Sequence, residues 1–169
     1  MAWFEDIKLG ETLELGSHIF TAEDIIRFAE KYDPQPFHTD PEAAKESHFG
    51  GLVAAGWHIA AVWMKLMLET RKNQPEEKTP PAPDGRAAPR GGPSPGFFDL
   101  KWIKPVRAGD TISYRATTME KVNLKSRPYQ GILKSFNEGF NQDGTLVFSF
   151  IGQGLVERRE PFQAQTSDL

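Results

Sequence analysis

Trp57-His58-Ile59-Ala60-Ala61-Val62-Trp63-Met64-Lys65-Leu66-Met67-Leu68 is the most apolar segment of the chain. It reads as a helix that is apolar on nearly every face, so it must be wrapped on most sides by sheet or by a partner subunit. Interrupted by Lys65, it is too short to span a bilayer. The loop that leads into it, His48-Phe49-Gly50-Gly51-Leu52-Val53-Ala54-Ala55-Gly56, is built of small residues. Those glycines and alanines let a substrate approach the first-turn N–H groups, which carry partial positive charge and have no intrahelical acceptor.

Upstream, the chain reads as a strand over about Thr12 to Phe20 and then a helix. Thr21 supplies an N-cap hydroxyl, Glu23 and Asp24 the acidic first turn, and Ile25, Ile26, Phe28 and Ala29 the apolar spacing of a helix ending near Tyr32. Pro34 cannot continue it. The chain runs on through Asp33-Pro34-Gln35-Pro36-Phe37-His38-Thr39-Asp40, a carboxylate and an imidazole five residues apart on a backbone stiffened by two prolines. The prolines predict an extended, low-entropy segment over Asp33 to Pro36 that can hold both side chains at one small site. A cap at Asp40 and Pro41 at the first helical position predict one more short helix.

Downstream, residues 73–96 hold seven prolines and four glycines with almost no large apolar side chain, the composition of a flexible insertion. Beyond it the pattern becomes β. Strands are predicted over Phe97 to Val106, Thr111 to Val122, Pro128 to Phe140 and Thr145 to Arg159, with hairpin chemistry at Asn141-Gln142-Asp143-Gly144. A polar tail begins at about residue 160. Helices clustered early and hairpin-linked strands late describe an α+β domain in which an antiparallel sheet wraps one central helix.

A chain of 169 residues with 38% hydrophobic and 25% charged residues is expected to form a single domain, residues 1–169. The lack of cysteine excludes disulfides, thiolate nucleophiles and cysteine-ligated zinc, and fits a cytoplasmic protein. No metal is expected, because Asp33, His38 and Asp40 match no ligand spacing. A net charge of −3 gives no general reason to bind nucleic acid, and no segment is long and apolar enough to bind within a membrane. Lys101, Lys104 and Arg107 form a local basic group, read either as a solvated strand face or as a seat for a phosphate-bearing ligand.

Four motifs in order, Asp33-Pro34-Gln35-Pro36-Phe37-His38, Phe49-Gly50-Gly51, Gly56 and Pro105-Val106-Arg107-Ala108-Gly109-Asp110, make the chain resemble the MaoC-like dehydratases of the hotdog-fold superfamily. That group includes the R-specific enoyl-CoA hydratases. The resemblance implies a hydro-lyase in which Asp33 and His38 are the acid–base pair that adds water to a 2-enoyl thioester, or removes it from the 3-hydroxy thioester. It implies the Gly56 N–H as the donor to the enolate oxygen, with Gln35, Gly51, Trp57 and His58 as substrate-binding candidates. The implied substrate is a small-molecule acyl-CoA or acyl-carrier thioester, with no cofactor beyond the coenzyme A moiety itself. A homodimer or higher homo-oligomer is implied as well.

The sequence departs from the family pattern at Gln35, where Asn is usual, at Tyr32, where Gly is common, and at Met64, where hydratases of the group carry a serine. Other readings stand beside the enzymatic one. Asp33 also suits a turn, Gly50 and Gly51 a tight bend, and His48 and His58 a loop or core. The alternative function is a non-catalytic thioester-binding protein or an acyl-CoA thioesterase of the same fold.

Overall fold

The computed structural model describes residues 2–73, 79–89 and 91–163. In chain order it contains β1 (Thr12–Ile19), α1 (Ala22–Tyr32), α2 (Pro36–Thr39), α3 (Pro41–Lys45), α4 (Gly56–Asn73), β2 (Phe97–Trp102), β3 (Thr111–Asn123), β4 (Gln130–Phe140) and β5 (Leu146–Glu157). All five strands form one antiparallel sheet in the order β1-β3-β4-β5-β2, and α4 packs against it. This is the α+β arrangement expected of a sheet wrapped round one helix.

Local chemistry fixes most element boundaries. The Thr21 hydroxyl accepts from the Asp24 N–H at 3.1 Å, which satisfies one of the donors that the start of α1 leaves open. The β4–β5 hairpin closes where expected: the Asn141 side-chain oxygen accepts from the N–H groups of Asp143 and Thr145, and Gly144 takes the positive φ (74°) that the turn requires. Against expectation, the stiff segment is extended only as far as Gln35. Pro36 opens the short helical turn α2, because a proline at the first helical position loses no hydrogen bond and already has helical φ.

The sheet must curl to embrace a helix, and β-bulges allow it. One interrupts the β1–β3 ladder between Glu14 and Gly16, where Gly16 has φ 93°. The Leu15 carbonyl at this bulge accepts from the Thr70 hydroxyl at 3.2 Å, which ties the sheet edge to α4. From the sheet centre, buried Tyr114 donates its hydroxyl to the Ile59 carbonyl at 3.2 Å, and burial pushes that phenol's pKa up. Ile59, Val62, Trp63 and Met67 of α4 join Ile112, Tyr114, Phe148 and Phe150 in the core. Trp57, Met64 and Leu68 of the same helix stay exposed, as do Phe97, Phe98 and Trp102 along the edge strand β2. Among the described residues no helix is long and apolar enough to cross a membrane.

Parts of the Pro/Gly-rich segment have definite anchors. Pro80 accepts from the Trp3 indole N–H, Ala82 is buried, and the Arg86 guanidinium donates to the carbonyls of Arg158 and Arg159 while lying over the rings of Trp3 and Tyr129. Residues 74–78 and 90 of the expected insertion, and 164–169 of the expected tail, lie outside the described residues.

Candidate active site

α1 ends at Tyr32, yet the Asp33 N–H still donates to the Ala29 carbonyl at 2.8 Å, so the Asp33 backbone is held by the last bond of the helix. Its side chain is held as well. The Gln35 amide donates to Oδ1 at 2.8 Å, which leaves Oδ2 facing His38. Pro36 then turns the chain so that His38, on α2, comes back towards Asp33. His38 Nε2 lies 3.5 Å from Asp33 Oδ2, and the imidazole is buried while the carboxylate is about a quarter exposed.

The other nitrogen of His38 fixes the chemistry of this one. Nδ1 lies 2.7 Å from the Val53 carbonyl oxygen, an acceptor only, so Nδ1 carries a hydrogen and Nε2 is the nitrogen turned to Asp33. Val53 is itself braced. Its N–H donates to the Phe37 carbonyl at 3.2 Å, the neighbouring Ala54 N–H donates to the Val106 carbonyl at 2.8 Å, and the Ala108 N–H donates to the Leu52 carbonyl at 3.2 Å. The Pro105–Asp110 turn is thus the buttress of the loop that orients His38. Its own shape is kept by Asp110, whose carboxylate accepts from the Arg107 N–H at 2.7 Å and the Gln142 amide at 2.9 Å.

The expected site residues fall into separate groups. Asp33, Gln35 and His38 are in direct contact. Gly56 opens α4, three residues after Val53, and carries the Trp102 indole on its Cα: a Cβ there would sit 2.3 Å from a ring carbon. The absence of a side chain at residue 56 is therefore demanded by Trp102, a reason that substrate approach alone does not supply. Trp57 meets the same indole edge to face at 5.5 Å. Gly51 lies against Arg107, whose guanidinium nitrogen is 3.7 Å from the position of a Cβ.

His58 is placed elsewhere. Its ring stacks on Phe28 of α1 at 4.5 Å and 5°, with Phe20 and His18 edge-on at 5.0 and 6.5 Å. Burial lowers its pKa to about 4, and Nδ1 is buried with no hydrogen-bond partner. It therefore serves as packing between α1 and α4 rather than as a contact of the Asp33–His38 pair.

A cavity of about 590 Å³ runs between α4 and the concave face of the sheet. On the helix it is lined by Trp57, Ala60, Met64 and Arg71, a span of ~21 Å at 1.5 Å per residue. Ser135, Gly152 and Gly154 on β4 and β5 leave the room for it. The cavity starts beside the first turn of α4, but neither Asp33 nor His38 is among its lining residues. Trp102, the Val53 carbonyl and the cavity polar groups carry no signal in the sequence, because each acquires its role through a contact distant along the chain. Among the described residues, no cluster of three or more His, Asp or Glu side chains is placed to hold a metal.

Residues 7–79 match the family model described as MaoC like domain. The chain is similar to the crystal structure of the MaoC-like dehydratase from Rhodospirillum rubrum, with 33% identity and a TM-score of 0.73 over 95% of this chain and 99% of that one. An uncharacterized Bacillus subtilis (strain 168) protein, YdeM, is 34% identical over 65 residues, which is 38% of this chain and 46%, just under half, of the length of that relative. The unliganded R-hydratase PhaJ1 from Pseudomonas aeruginosa shares the fold, with a TM-score of 0.63 at 17% identity over 99% of this chain and 92% of that one.

Proposed function

The chain belongs to the MaoC-like dehydratase family of hotdog-fold proteins, and from that premise we propose that it is an (R)-specific enoyl-CoA hydratase, or 3-hydroxyacyl thioester dehydratase, working through Asp33 and His38. The observation that carries this reading is the geometry of that pair: Nε2 and Oδ2 3.5 Å apart, with Nδ1 locked on the Val53 carbonyl. A gap of that length is too long for a direct hydrogen bond and suits two groups that both address one water.

In hydration, that water attacks the β-carbon of the enoyl thioester and yields a proton to the pair, with Nε2 as the free lone pair. The C–O bond forms as the π electrons move towards the thioester carbonyl, and a proton held by the pair then goes to the α-carbon. One water is consumed and no redox change occurs. The Gly56 N–H at the start of α4 is the donor we assign to the developing enolate oxygen, supported by the direction of the helix dipole. No cofactor is called for; coenzyme A, or an acyl carrier, belongs to the substrate. The acyl chain is assigned to the cavity along α4. A second copy is assigned to the exposed edge strand β2, where Phe97, Phe98 and Trp102 offer apolar surface.

A second reading, thioester binding without water addition, is favoured by one observation: the cavity lining does not include the pair. Spectrophotometric hydration of crotonyl-CoA separates the two. The wild type should turn over, and Asp33→Asn and His38→Ala should each lose activity by about 100-fold or more while remaining folded. Turnover unaffected by either change would sink the hydratase reading, and release of free coenzyme A from a saturated acyl-CoA would point to a thioesterase.

A further inference from the structure

The cavity along α4 holds a single charged side chain. Every other lining residue is apolar or neutral, from Trp57 at the first turn of the helix through Met64 and Leu68 to Phe150 on the sheet, and Arg71 stands alone at the far end. No Asp or Glu lines the cavity to balance it. Arg71 keeps exposed surface and is open to a ligand, yet burial lowers its pKa and no carboxylate acts in the other direction. Among the described residues it forms no ion pair.

A cation in the last turn of a helix ordinarily answers the macrodipole. Lys72, next to it in that turn, does not line the cavity and already meets that need, which leaves the placement of Arg71 on the cavity without a structural reason. An unpaired guanidinium at the end of an apolar channel suits an anion. Its planar fork meets a carboxylate with two parallel N–H···O bonds. A phosphate monoester carries nearly two charges, and the one cation lining the cavity would leave it half neutralised.

We infer that the cavity selects an acyl chain that ends in a carboxylate, which pairs with the Arg71 guanidinium while the thioester sits at the first turn of α4. This rests on the assignment of the acyl chain to the cavity, and it adds the chemical class of that chain. Helical side chains lean towards the N-terminus, so the guanidinium lies about one turn back from its own Cα, ~16 Å from Trp57 along the axis. The ion pair takes about 3 Å of that length. An extended chain of single bonds rises about 1.3 Å per bond, so the fit falls at about ten to twelve carbons.

The test is calorimetric titration of the purified protein with the mono-coenzyme A thioesters of hexanedioic, decanedioic and dodecanedioic acids. Each is set beside the saturated monoacid thioester of equal length, so that no turnover intervenes. At ten or twelve carbons the diacid should bind about five-fold or more tightly than the monoacid; at six, too short to reach Arg71, it should have no advantage. Arg71→Gln should abolish the preference, and Arg71→Lys should keep about two-fold of it, since an ammonium keeps the charge and loses the fork. Thermal melts check that the variants fold. Should Arg71→Gln fail to fold, the wild-type preference is measured in rising salt: it should shrink as the ion pair is screened, and a preference indifferent to salt overturns the assignment. If the diacids bind no more tightly than the monoacids at any length, or the preference survives Arg71→Gln, the carboxylate assignment is overturned while the thioester reading stands. If Arg71→Gln weakens monoacid and diacid equally, Arg71 holds a phosphate of the carrier and the assignment is overturned as well. If no thioester binds at all, the thioester reading fails first and takes this one with it.

Discussion

His38 Nδ1 sits 2.7 Å from the Val53 carbonyl oxygen, and this one bond joins the turn that carries the imidazole to the loop that opens α4. It sets the tautomer, points Nε2 at Asp33, and uses a backbone acceptor that cannot itself titrate. In the hydratase proposed above, orientation and proton transfer fall to different atoms of the same ring, which makes them separable by substitution.

His38→Asn keeps a donor near the position of Nδ1 and removes Nε2. It should retain stability within about 1 kcal/mol of the wild type and lose hydratase turnover by about 100-fold or more. His38→Ala removes both nitrogens and strands the Val53 carbonyl, so it should be destabilised by about 1–3 kcal/mol in urea melts as well as inactive. Equal stability of the two variants would show that the Val53 bond contributes nothing to the fold.

The contact between Gly56 and Trp102 predicts a rescue. A methyl at residue 56 would sit 2.3 Å from the indole, so Gly56→Ala should be destabilised by about 1–3 kcal/mol through overpacking. Gly56→Ala should cost less in the Trp102→Ala background than in the wild type, because the ring it clashes with is gone. A double-mutant cycle by thermal melting measures the coupling; strict additivity would mean that the ring moves aside without penalty.

How legible the fold is in the sequence depends on how local each signal is. Thr21, Pro34, Asp40 and the Asn141–Gly144 turn act on their own neighbours, and the elements they bound lie close to where their chemistry puts them. Pro36 carries a local signal too, but an ambiguous one: it is as good a first residue of a helix as it is a stiffener, and its second property masks α2. The spacing of Asp33 and His38 marks two residues that do meet. Trp102 on Gly56, Asn137 beside Phe150 and Arg86 on the carbonyls of Arg158 and Arg159 are pairings across the sheet or between distant segments, and no periodicity or cap announces them. His58 departs from its expected place at the site for the same reason, since its neighbour in space, Phe28, belongs to another helix.

Arg86 anchors the proline-rich segment by filling backbone acceptors and lying over two aromatic rings. Arg86→Ala should therefore expose the segment to limited proteolysis at residues 79–89, with cleavage appearing at protease concentrations that leave the wild type intact. Arg86→Lys keeps the charge but not the fork, and should cut at an intermediate rate. Resistance equal to wild type in Arg86→Ala would transfer the anchoring role to Trp3 and its bond to Pro80.

His58 gives the acid limb of stability its sign. Burial is the largest influence on its imidazole and lowers the pKa from 6.5 to about 4; nearby His18 and Arg27 act in the same direction and Asp24 opposes them. His18, beside Asp24 and Lys65, is lowered as well, chiefly by burial. A folded-state pKa below the unfolded value means that the unfolded chain binds the proton first. The contribution is therefore complete above about pH 6.5 and is lost as pH falls towards about 4. By about pH 4.5 the loss should be on the order of 2 kcal/mol, and smaller to the extent that water reaches the ring. His58→Phe keeps the stack on Phe28 and removes the titration. Its urea midpoint should fall less than that of the wild type between pH 7 and about pH 4.5, whereas parallel declines would place the acid sensitivity in the carboxylates instead.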